Sequence, residues 1–389
     1  MRLVLFVTVV VLLLACVLAL SLYFGHSFSS SYPSRSLQSR DPRKILNMVK
    51  TCPEAYISDP LQDALASLQI STFMTRINED TLLVPCGYTL VESEMAYSSA
   101  ARIVQCGYFF ALDGCDELVS KDLLWKRLVS SYGEKGASNM MPMTLILTNL
   151  TGRNRAINHI IESETQAPAI ILKKNIQRKE GLFLSDSPTL LIEKIRSKKF
   201  VVAQKFLRNA LQIRGHKLNL RFYILGIRER YSDKTDFYLH EYGKCVYANK
   251  AHHQTRSKPL DVTTNITSSE MNVELYQILP QTIQQLTGFL KTDSFLGIVR
   301  SRLVDILKPF SAHLGSNKKF AHVKLFQLFG ADIILLENSL QPMLLEFNKG
   351  PSMQPVNEVD SFMKTEIYKD TLRCAENSST QGTRYLRIV

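Results

Sequence analysis

The sequence is poor in acidic residues. It contains 35 Asp and Glu against 47 Lys and Arg, which gives a formal net charge of +12. This balance predicts an acidic partner, such as nucleotide phosphates, an acidic peptide, nucleic acid or an anionic membrane, and it also fits an ordinary basic surface. Charged residues make up only 21% of the chain and hydrophobic residues 45%, which excludes a disordered chain. The 389 residues are enough for one large domain or two or three subdomains.

A secretory cleavage site is missing after the first apolar segment. Residues 3–24 form an uncharged apolar run of 22 residues. The apolar core of a signal peptide has about 7–15 residues, whereas a membrane-spanning helix needs about 20. The run therefore predicts a signal-anchor transmembrane helix over residues 1–24. Residues 25–44 are rich in Ser, Pro and Arg and predict a flexible stem, and neither an internal repeat nor another low-complexity segment follows in residues 45–389.

The orientation of this single-pass anchor has two readings. Arg35 and Arg40 follow the span and favour a cytosolic body by the positive-inside rule. Three glycosylation sequons, at Asn149, Asn265 and Asn377, favour a body in the lumen of the endoplasmic reticulum or Golgi, or a secreted one. An even set of six cysteines outside the span could also pair there: Cys52, Cys86, Cys106, Cys115, Cys245 and Cys374. We favour the lumenal body and leave the cytosolic one open.

Strand-like apolar runs alternate with helical patterns along the rest of the chain. Residues 218–227 predict a strand, and residues 236–248 predict a hairpin that turns at Gly243. Residues 270–310 have helical patterns, and residues 359–373 read as a closing amphipathic helix. We therefore expect an α+β fold with mixed and antiparallel sheets and flanking helices, and not a doubly wound parallel sheet. The predicted subdomains are N-terminal, about 45–140, central, about 141–207, and C-terminal, about 208–389.

Two carboxylates and a carboxamide interrupt an apolar hairpin near the end of the chain. A turn centred on Ser339 would place Asp332 opposite Glu346 on antiparallel strands, with Asn348 on the same face. Opposed residues have their β-carbons about 4.5–5.5 Å apart, so the two carboxylates would repel each other. A divalent cation would resolve this repulsion, and Mg²⁺ prefers oxygen ligands of this kind. The other reading is an edge hairpin whose acids point to solvent or to lysines.

The segment FQLFGADIILLENSLQPMLLEFNKGPSMQP strongly resembles the C-terminal signature of the tubulin-tyrosine ligase-like family. Upstream pieces such as KDLLWKRL, IILKK and VVAQKFL follow in the order of that family, so the resemblance covers residues 118–373. It implies an ATP-grasp-like fold. It also implies a ligase that uses ATP and Mg²⁺ to join a free amino acid to a protein carboxylate through an acyl-phosphate, as tyrosine ligases, polyglutamylases and glycylases do.

The resemblance also implies roles for individual residues. The predicted nucleotide-binding residues, on the phosphates or around the adenine, are Lys173, Gly181, Gln204, Lys205, Leu207 and Asn265. The residues expected near the reacting groups alternate along one strand and share its face: Lys217, Asn219 and Arg221. The predicted metal ligands are Asp332, Glu346 and Asn348. Each lysine among them could also be an ordinary surface cation.

Three departures from the family pattern bear on activity. The phosphate loop contains only one glycine, Gly181, although glycines allow the backbone to approach phosphate closely. Asn219 stands where the family has aspartate. Val246 or Tyr247 stands near the position of an arginine that the family uses for the carboxylate of the amino acid, and the nearest cations are Lys244 and Lys250.

Three functions remain open from the sequence. The first is an active ligase for an acidic protein or peptide acceptor, which would be a tubulin tail if the body is cytosolic. The second is a catalytically impaired, membrane-anchored binding protein with the same fold. The third is a Golgi glycosyltransferase, which the anchor and stem suggest, but no Asp-x-Asp motif stands at a strand end. We expect no nucleic-acid partner.

Overall fold

The computed structural model describes most of the chain after residue 43. The described residues are 44–50, 58–72, 77–85, 105–162, 169–175, 181–251, 265–267 and 274–389. Within these ranges no helix is both long enough and apolar enough to cross a membrane. The predicted anchor, residues 1–24, and nearly all of the predicted stem, residues 25–44, lie outside them.

A mixed nine-stranded sheet forms the centre of the described structure. Its strands are β1 (Asn47–Lys50), β2 (Thr81–Val84), β3 (Tyr108–Phe109), β8 (Gln212–Ile213), β9 (His216–Arg228), β10 (Asp236–Tyr247), β11 (Lys324–Leu335), β12 (Pro342–Asn348) and β13 (Tyr385–Arg387). The order is β1-β2-β3-β11-β9-β10-β13, with β12 also on β11 and β8 also on β9. The contacts from β1 through β3 to β11 are parallel, and the others are antiparallel.

A smaller antiparallel sheet lies within the predicted central subdomain. Its strands are β4 (Thr144–Ile146), β5 (Ile170–Lys173), β6 (Leu182–Ser185) and β7 (Val202–Lys205), in the order β4-β7-β5-β6. Two helices, α4 (Leu150–Glu162) and α5 (Pro188–Arg196), cover one face through a shared apolar cluster. Lys173 alternates with the apolar residues of β5 that pack under these helices, so it shares the opposite face with Ile171.

Helices cover both faces of the large sheet. They are α1 (Asp59–Ser67), α2 (Asp116–Val119), α3 (Lys121–Met140), α6 (Leu275–Ile278), α7 (Ile283–Leu290), α8 (Ser294–Leu307) and α9 (Glu358–Asn377). Residues of α3, α7 and α8 share one core cluster with Leu220 and Phe222. Residues of α1 and α9 share the other cluster with Tyr223 and Leu225. Because neighbouring residues of a strand face opposite sides, β9 is buried on both faces.

The face beneath α9 changes from apolar to polar along the two central strands. On β11, Phe326 and Leu328 pack into the core under α9, and Asp332 follows on the same face. On β9, Leu225 lies in that core, whereas Arg221 precedes it on the same face. This polar region begins near the first turn of α9, and it contains the candidate site.

The α+β prediction is confirmed, and so are the strand at 218–227 and the closing helix. The hairpin predicted at Gly243 is wrong, because residues 236–247 form one strand that pairs with β9. Gly243 lies instead at a shift of register in that pairing. A β-carbon there would approach Ile283 Cδ1 to 2.3 Å and Arg221 O to 2.9 Å, so the glycine allows a close contact with α7.

Candidate functional site

Four charged residues form a row across four adjacent strands. Asp332 of β11 pairs with Glu346 of β12 on one side and with Arg221 of β9 on the other. Arg221 in turn pairs with Lys244 of β10. The row therefore runs from two carboxylates to two cations, and we call it the charge row. Its register confirms the predicted opposition of Asp332 and Glu346.

A bulge in β12 produces this opposition. Nearest the turn, Leu335 pairs with Pro342 and Ile333 with Leu344. The register then shifts by one residue, so that Asp332 pairs with Glu346 and Leu345 has no partner of its own. If the outer register continued without a bulge, Leu345 would lie opposite Asp332, and Glu346 would lie opposite Ala331 on the other face.

Arg221 and Asp332 form a buried, bidentate ion pair. Arg221 Nε donates to Asp332 Oδ1 at 2.8 Å, and Arg221 Nη2 donates to Oδ2 at 2.7 Å. Asn348 Nδ2 also donates to Asp332 Oδ2, at 3.1 Å. Burial opposes the charge of Arg221, but the carboxylate of Asp332 outweighs this effect and raises the pKa of the guanidinium. The predicted residues Arg221, Asp332 and Asn348 are therefore in contact.

Glu346 faces two lysines at the other end of the charge row. Lys121 Nζ lies 3.3 Å from Glu346 Oε2, and Lys173 of the small sheet is close enough to stabilise the carboxylate. Burial opposes ionisation of Glu346, but these lysines and Arg221 outweigh it and lower the pKa of its carboxyl. Glu346 thus remains charged at neutral pH.

Lys121 is a site residue that sequence reasoning missed. It is the first residue of α3, its side chain is buried, and its backbone N–H donates to Asn175 Oδ1 at 3.1 Å. Asn175 Nδ2 donates to Asp122 Oδ1 at 2.9 Å, so the start of α3 is tied to the end of β5. A lysine at a helix N-terminus is electrostatically unfavourable, and this misplaced charge was the one available signal.

We expect Lys121→Met to weaken the binding of Mg²⁺-free ATP and to strengthen that of Mg²⁺ alone. The change removes a cation that would attract phosphate, and it releases Glu346 from a competing ion pair. Each dissociation constant should change by about tenfold, which corresponds to about 1.4 kcal/mol of binding free energy. Calorimetric titration of the two ligands measures both shifts, and Lys126→Met is the matched control because Lys126 is half-exposed and follows on the same helix. Parallel weakening of both ligands would contradict the assignment.

The side chain of Lys217 lies over an aromatic ring, close to a residue that is predicted to bind the nucleotide. Its Nζ is 3.9 Å from the centroid of the Phe206 ring and 3.5 Å from Leu207 O. Burial, with the charge of Lys173, lowers the pKa of Lys217 to about 7. Burial also lowers the pKa of Lys173, although Glu346 partly opposes this. An anionic ligand would stabilise the charged form of both lysines.

The other predicted nucleotide-binding residues are placed less closely together. Gln204 is buried, and its Nε2 donates to Thr144 Oγ1 at 2.9 Å, whereas the adjacent Lys205 is exposed. Gly181 O accepts a hydrogen bond from Lys174 N at 2.9 Å, but the loop residues 176–180 lie outside the described part. Asn265 is half-buried in the short segment 265–267.

Asn219 differs in environment from its neighbours on β9. Its Nδ2 donates to Thr267 Oγ1 at 2.8 Å. Its Oδ1 is buried, and no hydrogen-bond donor reaches it from the described residues. A buried acceptor of this kind is costly unless water, a ligand or an ion completes it. Asn219 therefore offers a carbonyl oxygen where the family pattern has a carboxylate.

The residues of the charge row fit a magnesium-bound nucleotide. Within the described ranges, no group of three or more His, Cys, Asp or Glu could hold a metal ion. Mg²⁺ does not need such a cluster, since it is usually bound by one or two carboxylates together with substrate phosphates and water. Asp332 and Glu346 would supply the carboxylates, and the side chain of Asn348 lies beside Asp332.

The fold and the site together define the class of this protein. It is an α+β protein with carboxylates and cations paired across the central strands of a large mixed sheet. The profile of the "Tubulin-tyrosine ligase family" matches residues 105–288 and 298–383, which is most of the chain. The chain belongs to the tubulin-tyrosine ligase family, and the predicted family resemblance is confirmed.

Two curated proteins are similar to this chain at low identity. "Probable alpha-tubulin polyglutamylase Ttll1" of Tetrahymena thermophila is 23% identical over an alignment of 246 residues, and the match covers 56% of this chain and 57% of that protein. "Tubulin polyglutamylase ttll-4" of Caenorhabditis briggsae is 23% identical over an alignment of 291 residues, and the match covers 67% of this chain and 45% of that protein. The chain thus spans about half the length of these relatives.

Proposed function

We propose that the protein is an ATP- and Mg²⁺-dependent ligase with an ATP-grasp-like fold that joins an amino acid to a protein carboxylate. The γ-phosphoryl group of ATP passes to the carboxylate, which leaves ADP and an acyl-phosphate. The amine of the second substrate then attacks the acyl carbon, forms the amide bond and releases phosphate. Membership of the family and the names of the two relatives support this reaction.

The charge row is the observation that carries the proposal. Phosphoryl transfer depends mostly on positioning and on neutralisation of the phosphate charge. Asp332 and Glu346 would hold Mg²⁺, with Asn348 beside them, and the bound ion would neutralise phosphate oxygens. Arg221 adjoins these carboxylates and could bind the oxygens of an activated carboxyl group.

The buried lysines would bind the nucleotide. Lys173 and Lys217 lie on faces of the two sheets that meet near Glu346 and Phe206, and both lose hydration there. Phosphates would replace that hydration with charge-assisted hydrogen bonds. Gln204, Lys205 and Leu207 lie on or just after β7, where backbone groups could bind adenine. The roles predicted for Gly181 and Asn265 in binding the phosphates of the nucleotide remain predictions.

An acidic protein segment is the proposed acceptor. The net charge of +12 favours such a partner, and the relatives are named as tubulin polyglutamylases. Glutamate is therefore the first candidate for the added amino acid, with glycine and tyrosine as alternatives. A tubulin tail is the candidate acceptor if the body is cytosolic.

An incorporation assay tests the ligase. The full chain is supplied with Mg²⁺, ATP, a glutamate-rich acceptor peptide and one radiolabelled amino acid at a time. We expect ATP-dependent labelling of the peptide with glutamate, and none without Mg²⁺. If a folded protein that binds ATP incorporates no amino acid, the ligase proposal fails.

A non-catalytic binding protein is the second candidate. Asn219 supports it, because the side chain that replaces the family's aspartate cannot ionise and is held by Thr267. Asn219→Asp separates the candidates. A rise in incorporation would indicate a weakened ligase, and a folded variant without any incorporation would favour the binding protein.

The membrane-anchored, lumenal location remains a proposal. Cys245 and Cys374 are buried free thiols, so neither contributes to the disulfide set considered from the sequence. The sequon residues Asn149 and Asn377 are exposed. Sensitivity of the gel mobility to a glycosidase would support the lumenal body.

A further inference from the structure

The side of the small sheet that α4 and α5 cover carries a group of aromatic and basic side chains. Phe183 of β6 and Phe200, which precedes β7, pack against the apolar cluster beneath these helices, and their ring centroids are 6.4 Å apart. Four lysines adjoin the two rings in space or in sequence. We call this surface the aromatic–lysine patch, and it consists of Lys174, Phe183, Lys194, Lys198, Lys199 and Phe200. Because Lys173 faces the opposite side of the sheet, the patch is separate from the proposed nucleotide site.

Two of the four lysines lie over the aromatic rings. Lys174 Nζ is 5.9 Å from the centroid of the Phe200 ring, and Lys194 Nζ is 5.8 Å from the centroid of the Phe183 ring. The alkyl part of a lysine can pack along an aromatic ring while its ammonium group stays in water. These contacts restrict the two side chains before any ligand binds, so less conformational entropy is lost on binding.

The aromatic–lysine patch has few acidic neighbours. Residues 193–199 contain four cations and one carboxylate. That carboxylate belongs to Glu193, whose Oε1 lies 3.0 Å from Lys194 Nζ, and no other acid among the described residues forms an ion pair with a lysine of the patch. Lys198 and Lys199 are exposed to solvent. The patch therefore has a positive charge that its own surroundings do not neutralise, and it favours an anionic partner.

Apolar surface accompanies this positive charge. Leu190 lies one turn before Lys194 on α5, and 45% of it is exposed. Phe183 and Phe200 are half-buried. A glutamate-rich peptide would satisfy the lysines and leave these apolar groups in water, whereas the interface of an anionic bilayer accepts both lysines and apolar side chains. The combination therefore favours a lipid surface over an acidic peptide.

The anchor predicted from the sequence would keep this surface close to a bilayer. The predicted stem, residues 25–44, would have an end-to-end distance of about 25 Å as a flexible coil. Tethering at this distance raises the effective concentration of lipid, so that even weak contacts would be occupied. Anionic lipids are concentrated in the cytoplasmic leaflet. Contact with them would favour the cytosolic body that Arg35 and Arg40 also indicate.

We propose that the aromatic–lysine patch binds the surface of a membrane that contains anionic phospholipids. Lys198 and Lys199 would lie at the level of the phosphate groups, and Leu190 would face the boundary between the headgroups and the acyl chains. The opposite side of the small sheet, with Lys173, would then face away from the membrane and stay open to the nucleotide. This inference goes beyond the proposed ligase function and does not rest on it.

Lysine footprinting of the full chain tests the patch. The protein is reconstituted with vesicles of phosphatidylcholine alone, or of equal amounts of phosphatidylcholine and phosphatidylserine, and a membrane-impermeant reagent acylates its lysines. Mass spectrometry then gives the reaction rate of each lysine. We expect Lys194, Lys198 and Lys199 to react about fivefold more slowly on the mixed vesicles, and high salt to remove this protection. Lys318 and Lys319 are another exposed pair of adjacent lysines, and their rates should be the same on both kinds of vesicle.

Two charge-reversed variants separate recognition from folding, and thermal unfolding reports whether each is folded. Lys198→Glu with Lys199→Glu should lose the protection of Lys194, whereas Lys318→Glu with Lys319→Glu should keep it. Equal rates for the patch lysines of the unchanged protein on both kinds of vesicle would overturn the inference. Protection of these lysines by a hexaglutamate peptide but not by the mixed vesicles would also overturn it, and would indicate a protein partner. No turnover is measured, so a failure of the ligase proposal leaves this test unaffected.

Discussion

Asp332→Asn should abolish ATP-dependent incorporation, with a loss of about 10²–10³-fold or more. The substitution removes one of the two carboxylates proposed to hold Mg²⁺, and asparagine retains the shape of the side chain. It also leaves Arg221 buried beside a neutral group, so the free energy of unfolding should fall by about 3–5 kcal/mol. Incorporation rates and denaturant unfolding measure the two effects.

A double variant separates these effects. Arg221→Met combined with Asp332→Asn removes both charges of the pair, and most of the lost stability should return, because no unpaired buried charge remains. The activity should not return, since the metal carboxylate is still missing. Full incorporation by Asp332→Asn would show that Asp332 does not bind the catalytic metal.

ATP affinity should fall steeply with pH above 7. The pKa of Lys217 is lowered to about 7 without ligand, and phosphate contact would move it back toward its ordinary value. Below pH 7 the lysine is protonated in both states, and the affinity should not depend on this group. Above pH 7 binding must take up a proton, so the dissociation constant should rise up to about tenfold per pH unit. Calorimetry in two buffers of different ionisation enthalpy counts the protons taken up.

Lys217→Arg is the matched control for this titration. Arginine keeps its charge throughout the range, so both the proton uptake and the pH slope due to residue 217 should disappear. Any titration of ATP itself remains in both proteins and cancels in the comparison. An identical pH slope in the variant and the unchanged protein would exclude contact between Lys217 and the phosphates.

The strand faces of the site could be predicted from local sequence. The alternation of Lys217, Asn219 and Arg221 places them on one face, and the structure confirms it for the strand that pairs Arg221 with Asp332. The opposition of Asp332 and Glu346 was predicted from a turn centred on Ser339. The pairs next to the turn are centred half a residue earlier, and the bulge at Leu345 restores the predicted pairing. Period-two arguments succeed here because both strands are long and their apolar neighbours fix the register.

The contacts between distant segments could not be predicted in this way. Lys121 reaches Glu346 from a helix more than two hundred residues earlier in the chain, and Asp360 joins Lys244 from the closing helix. Periodicity within one segment contains no information about such partners. Gly243 was misread for a related reason, since its role depends on the approach of Ile283 and not on a local turn.

Because of the bulge at Leu345, the pairing of Asp332 with Glu346 does not follow the register of the pairs next to the turn. The outer pairs, from Leu335 with Pro342 to Ile333 with Leu344, follow one register, and the inner pairs follow another. A change in turn length that the outer pairs absorb would leave Asp332 opposite Glu346. Deletion of Leu345 would remove the bulge and join the outer and inner pairs in one register, with Asp332 still opposite Glu346. The opposition of the two carboxylates thus rests on the inner pairs, and the surface turn at residues 336–341 can vary without changing it.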